Sequence, residues 1–249
     1  MVSFSIKLAE VNIFVHCLYP STKEFCTDYL TQESPDFAVE IKPEDISLEQ
    51  ALSDQTSLRE GQAPTTYPKA YLETLALLRK LADHLLDYDV LLFHGSAVAV
   101  EGRAYLFTAP SGTGKSTHTC LWRQMFGPRA VMINDDKPML RCTPQGITVF
   151  GSPWDGKHRL SCNMAAPLHA LCLLGRDDHN HVEPVSAPEA FPVLLQQSYR
   201  PAGCTKMDKL LELLDYLSQA PLYRLGCNMR PEAAKVAYLG MQGTHKPDF

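Results

Sequence analysis

The chain of 249 residues has no apolar stretch of 18 residues, so a membrane-spanning helix is not its organising element. Its start, Met1-Val-Ser-Phe-Ser-Ile-Lys7, lacks the basic-then-apolar order of a secretory signal, and a cytoplasmic location is expected. No C-x-x-C pair occurs among the cysteines, Cys17, Cys26, Cys120, Cys142, Cys162, Cys172, Cys204 and Cys227. Several lie in apolar runs such as Leu171-Cys-Leu-Leu174. That argues against a zinc ribbon or a disulfide framework and for reduced thiols. Blocks of like charge are also missing, and a net charge of −5 argues against a basic groove for nucleic acid. No internal repeat or low-complexity tract is present. What is present is 45% hydrophobic residues, enough for the core of one large domain or of one domain with an appendage.

Texture divides the chain. Residues 1–66 alternate short strand-like runs, Val11-Asn-Ile-Phe-Val15 and Phe37-Ala-Val-Glu-Ile41, with Pro, Ser and Asp punctuation, and end in a polar stretch from Ser53 to Thr66. This reads as a small β-rich N-terminal region, leaving 67–249 as the main domain. Leu72, Leu75, Leu78, Leu81 and Leu85 recur at helical spacing and predict an amphipathic helix over Tyr67–Asp87. Strands are then expected at Val90–Phe93, Ala97–Val100 and Ala104–Phe107, with Glu101-Gly102 as a hairpin turn between the last two. Later strands are expected at Ala130–Ile133, Ile147–Phe150, Ala170–Leu174 and Leu222–Leu225. Helices are expected at Pro188–Gln197, Lys206–Gln219 and Pro231–Leu239, the first opened by Ser186 and Glu189 at capping-box spacing.

The chemistry begins after the third of these strands. Ala109-Pro-Ser-Gly-Thr-Gly-Lys-Ser116 matches a phosphate-binding loop, G-x-x-x-x-G-K-S/T, except that Ala109 replaces the opening glycine. Ser111, Gly112, Thr113, Gly114, Lys115, Ser116 and Thr117 are the candidate nucleotide-binding residues. Gly112 and Gly114 let backbone N–H groups converge on a phosphate, and the helix beginning at Lys115 would present its N-terminus to the same anion. Lys115 supplies a positive charge, and the Ser116 hydroxyl stands where such loops ligate Mg²⁺. The plainer alternative is a Gly-rich turn that binds nothing. An ordinary parallel nucleotide-binding sheet does not place this loop on the second arm of a hairpin, so a mixed, partly antiparallel α/β sheet is expected.

The predicted strand after the loop helix ends in Asn134-Asp135-Asp136. Carboxylates at that place face the metal and the terminal phosphate in phosphoryl-transfer sites. Asp135 is the better metal candidate, and Asp136 can accept the proton of an attacking hydroxyl. Asn-Asp-Asp followed by Pro138 is also turn chemistry. Arg200, in Ser198-Tyr-Arg-Pro201, is a candidate for neutralising transition-state charge. Gly151-Ser-Pro-Trp-Asp-Gly-Lys-His-Arg159 reads as loop material for an active site or as a solvated loop. Trp122 and the leucines of 210–217 read as core.

The order Phe93-His-Gly-Ser96, hairpin, loop 109–116 and Val131-Met-Ile-Asn-Asp-Asp136 resembles the kinase domain of HPr kinase/phosphorylase over roughly residues 90–175. The loop alone also resembles that of ATP-dependent phosphoenolpyruvate carboxykinase. The first resemblance implies transfer of a phosphoryl group from ATP, with Mg²⁺, to a serine hydroxyl. It assigns the base to Asp136, phosphate and metal roles to Lys115 and Ser116, a place near the phosphates to His94, and a homo-oligomer. It departs from that family where an Arg-Gly-Leu-Gly signature is expected and 151–159 stands instead, which puts HPr itself in doubt as acceptor. The expected function is a kinase acting on serine of a peptide or protein, or on a small serine-like molecule. A nucleotide-sensing module is the alternative of another class, and a carboxykinase is disfavoured for want of a large second domain.

Overall fold

The computed structural model describes residues 1–242, and they form two compact units, Met1–Leu85 and the residues from Leu86 onward. In the first, β1 (Val2–Leu8) and β2 (Val11–Cys17) form an antiparallel hairpin. Its turn residues Ala9 and Glu10 have φ of 47° and 64°. After α1 (Pro20–Phe25), β3 (Phe37–Glu40) pairs parallel to β2. Period-two alternation buries Phe4, Ile6, Leu8, Ile13, Val15 and Val39. Two helices complete the unit, α2 (Pro43–Arg59) and α3 (Lys69–Leu85).

Two expectations for this region are corrected. The unit is α+β rather than β-rich, because α2 runs through a stretch whose polar side chains give no apolar stripe. Its start is marked by Pro43 and by Asp45 accepting the Lys42 N–H at 2.8 Å. The compact unit also extends to Leu85 rather than ending at residue 66. The amphipathic helix belongs to it, burying Leu72, Leu77, Leu78, Leu81 and Leu85, and Arg79 of α3 pairs with Glu49 of α2.

The second unit carries a nine-stranded mixed sheet. Its elements in chain order are β4 (Val90–Leu92), β5 (Ser96–Val100), β6 (Arg103–Thr108), α4 (Lys115–Phe126) and β7 (Ala130–Asn134). β8 (Met139–Thr143), β9 (Gly146–Phe150), β10 (Ala165–Arg176) and β11 (His181–Pro184) follow. α5 (Ala187–Gln197), α6 (Cys204–Leu217), β12 (Leu222–Cys227) and α7 (Glu232–Gly240) complete the unit. β6 and β12 run parallel to β10, whereas β5 pairs antiparallel with both β6 and β7, so the expected mixed sheet is observed. The hairpin β5–β6 turns at Glu101 and Gly102 with φ of 53° and 77°, and its second arm leads into the loop before α4.

Alternation along the central strands builds a core on each face of this sheet. Leu106, Leu171 and Leu173 join Leu194 of α5 and Leu210, Leu213, Leu214 and Leu217 of α6 on one side. Tyr105, Phe107, Cys172 and Leu174 join Trp122 and Phe126 of α4 and Ala233, Ala234 and Ala237 of α7 on the other. A sheet covered on both faces needs such two-sided strands. The α5 capping box forms, with Glu189 accepting from the Ser186 backbone and hydroxyl at 3.2 and 2.6 Å. Among the described residues no helix is long and apolar enough to cross a membrane.

Candidate functional site

The end of β6 and the end of β7 are separated only by β5, so the loop that follows β6 and the turn that follows β7 open at one region of the sheet. In the loop, positive φ falls on Gly112 (75°) and Gly114 (124°), values that disfavour any residue with a Cβ. Ala109 does not take a positive φ, which is why alanine is tolerated at the opening position. Lys115 is 7% exposed, and its ammonium donates to the carbonyls of Ala109 at 2.9 Å and Pro110 at 3.4 Å. The arch of the loop thus closes around its own lysine. Arg176, at the end of β10, braces the outside, its guanidinium donating to the carbonyls of Thr113 at 3.1 Å and Gly112 at 2.5 Å.

The turn expected at Asn134-Asp135-Asp136 forms, and it sets the place of both carboxylates. Asn134 Oδ1 accepts the N–H groups of Asp136 at 2.9 Å and Lys137 at 2.6 Å, an Asx turn that bends the chain as it leaves β7. Its amide donates back to Ser152 and Trp154 carbonyls, at 3.1 and 3.2 Å, and so draws the 151–161 segment onto the strand end. Asp155 continues that attachment by accepting N–H groups from Asp135, Gly156 and Ser161. A Cβ on Gly156 would stand 2.8 Å from Asp135 Oδ2, so only glycine lets the segment approach this closely. The segment is therefore packed against Asp135, and Asp155 acts as its internal clamp.

Asp135 is 6% exposed and accepts the Ser96 hydroxyl at 2.6 Å, with Ser96 in turn 2.9 Å from Thr119 of α4. Burial holds its carboxyl above the ordinary value, opposed by hydrogen bonds from Ser96 and Ser116. Ser116 and Asp135, the two sequence candidates for a metal, are thus near enough for the hydroxyl to favour the charged carboxylate. Asp136 is more open, its side chain 38% exposed, with His94 Nε2 at 3.5 Å and Lys137 Nζ at 3.4 Å from Oδ1. His94 is held below the ordinary histidine range by burial first and then by the charges of Lys137 and Lys115. Lys115 is lowered by burial, with Asp136 and Asp135 opposing that shift.

His94, Asp135, Asp136, Lys115 and Ser116 therefore form one cluster, while Ser111 and Thr117 lie exposed around the loop. Arg200 is exposed beyond α5, and it is Gln197 that bonds His94, through Oε1 to Nδ1 at 2.6 Å. The same segment is fixed by the His94 N–H donating to the Gln197 carbonyl at 2.7 Å and the Tyr199 N–H to the Leu92 carbonyl at 3.0 Å. Sequence reasoning does not find Gln197, Lys137, Ser96 or Arg176. Lys137 alone has a signal, its place next to the carboxylate pair.

A hydroxyl beside a carboxylate fits Mg²⁺, a hard cation that takes few protein oxygens and completes its shell with water and phosphate. Among the described residues there is no group of three or more His, Cys, Asp or Glu side chains of the kind that cages a transition metal.

No family model and no curated protein matches the chain. Among solved structures it is similar to the Hpr(Ser) kinase/phosphatase from Coxiella burnetii, with a TM-score of 0.35 and 10% sequence identity over 61% of this chain and 99% of that one. A likeness of that size carries no argument about chemistry, which has to come from the site.

Proposed function

We propose that this chain is a Mg²⁺-dependent phosphotransferase that moves the terminal phosphoryl group of ATP to a hydroxyl, on serine of a peptide or protein or on a small serine-like molecule. The observation that carries this reading is the meeting of the Lys115 loop with a buried carboxylate near Ser116 and an open carboxylate beside His94. A turn that bound nothing would need neither lysine buried in the loop nor two acids at its mouth.

In this reading the loop amides and Lys115 hold the phosphates, and Ser116 with Asp135 would hold Mg²⁺, which supplies charge neutralisation between phosphate oxygens. Asp136 takes the proton of the acceptor hydroxyl. The acceptor oxygen forms its bond to the terminal phosphorus, and the bond from phosphorus to the bridging oxygen breaks with its electron pair leaving on ADP. With Gln197 Oε1 accepting from His94 Nδ1–H, the neutral imidazole presents the lone pair of Nε2 to Asp136. His94 can therefore share the proton that Asp136 collects.

Titration calorimetry with ATP, with and without Mg²⁺, followed by transfer from labelled ATP to serine-bearing acceptors, tests the reading. Mg²⁺-dependent binding and transfer that Asp136→Asn abolishes without loss of binding is the expected result. Binding without transfer to any acceptor supports a nucleotide sensor instead, and absence of binding rules out the loop as the site.

A further inference from the structure

A cleft of about 680 Å³ opens beside the loop, between the start of α4 and the ends of β10 and β12. Its inner edge is Gly112, Thr113, Gly114 and Thr117, so it is continuous with the loop. Neither Asp136 nor His94 lines it. One wall is apolar, made by Leu121 and Leu174 with Met229 at the rim, where that side chain is 79% exposed. Asp177 and Asp178, both exposed, stand on the wall that follows β10.

We infer that this cleft holds the nucleoside of the triphosphate donor, with the base against Leu121, Leu174 and Met229 and the ribose hydroxyls on Asp177 and Asp178. The inference rests on the phosphotransferase reading and adds the part of the donor that the loop cannot read. Three observations favour a nucleoside over the other occupants. The acceptor must reach Asp136, which lies outside the cleft. Phosphate is repelled by two adjacent carboxylates, whereas a ribose diol donates to them, as acidic residues do in dinucleotide sites. The volume and the mixture of an apolar wall with a few polar groups are those of small-molecule pockets. A triphosphate lying along the loop with its terminal phosphate at Lys115 and Asp136 leaves its other end at Thr117, the edge of the cleft. Arg176 joins the two sites, since it lines the cleft and holds the carbonyls of Gly112 and Thr113.

Calorimetry on the full chain in Mg²⁺, comparing ATP with inorganic tripolyphosphate, tests this on the wild type and on two rim variants, Met229→Glu and Asp178→Trp. Wild type should bind ATP about tenfold or more tightly than tripolyphosphate. Each variant should bring ATP to within about threefold of tripolyphosphate, each ligand being compared on the same variant so that the change of charge at the rim cancels. Equal wild-type affinity for the two ligands, or an ATP preference that survives both variants, overturns the nucleoside assignment and leaves the phosphate site standing. If neither ligand binds, the phosphotransferase reading itself fails.

Discussion

Glu73 in the first unit and Asp135 in the second are both buried carboxylates, 0% and 6% exposed, and their surroundings differ. Glu73 accepts the N–H groups of Leu18 at 2.6 Å and Tyr19 at 3.1 Å and the hydroxyl of Thr22, so it ties α3 to the entrance of α1. Its partners are fixed neutral donors, and the group is consumed by the fold. Asp135 has hydroxyl donors too, but it stands next to a second carboxylate and close enough to Lys115 to affect its titration. Burial of an acid is therefore no mark of a site. Convergence of several ionisable groups that the fold does not use up is the better sign.

The contrast can be broken in four ways, taken from the largest expected effect. Asp136→Asn should lower phosphoryl transfer by about 10²–10⁴-fold, the usual worth of a positioned base, while thermal melting stays close to that of the wild type. Glu73→Ala should do the reverse. Leaving three donors without their acceptor should cost about 4 kcal/mol, read from urea unfolding, with transfer per folded molecule retained. A transfer defect in Glu73→Ala at full stability would erase the distinction between the two acids.

Acid should weaken the second unit through a residue outside the cluster. His118, 2% exposed, accepts the Trp122 indole N–H at 2.9 Å, and burial pushes its pKa down to about 4 from 6.5. The unfolded chain then binds the proton that the native chain refuses, so stability is full above pH 6.5 and falls as the pH drops toward 4. The loss over that window should be about 3 kcal/mol. His118→Gln should flatten melting temperature against pH across this range, and an unchanged slope would remove His118 as the cause.

The smallest effect on stability is expected at Asp135→Asn. Burial already disfavours the charged carboxyl there, so the neutral amide should change unfolding free energy by less than about 1 kcal/mol. Mg²⁺ dependence of ATP binding should nevertheless disappear in calorimetry. Should Asp135→Asn destabilise as much as Glu73→Ala, Asp135 would be structural as well.

Much of the second unit is legible in its sequence because its signals are local. Glu101-Gly102 sits between two apolar runs and becomes the hairpin turn, and Ser186 with Glu189 becomes a helix cap. Strand β8 is harder to see, since Met139–Thr143 follows Pro138 and has neighbours β4 and β9 that only the sheet order supplies. The unit boundary was also beyond composition. Helix α3 shows its leucines plainly, but which sheet those leucines cover is not written in their spacing.

For the candidate site, sequence alone determined the shape of the loop around Lys115 and Ser116 and the turn that carries Asp135 and Asp136, because glycine geometry, an Asx turn and a strand end are properties of a few consecutive residues. Tertiary structure decided which of these groups meet and what surrounds them. β5 lies between β6 and β7, the 151–161 segment reaches Asp135 through Asn134 and Gly156, and Gln197 arrives at His94 from across the chain. Arg176 reaches the loop because β10 runs parallel to β6. Such contacts depend on sheet order and on close packing between distant segments, and no local pattern of residues encodes either.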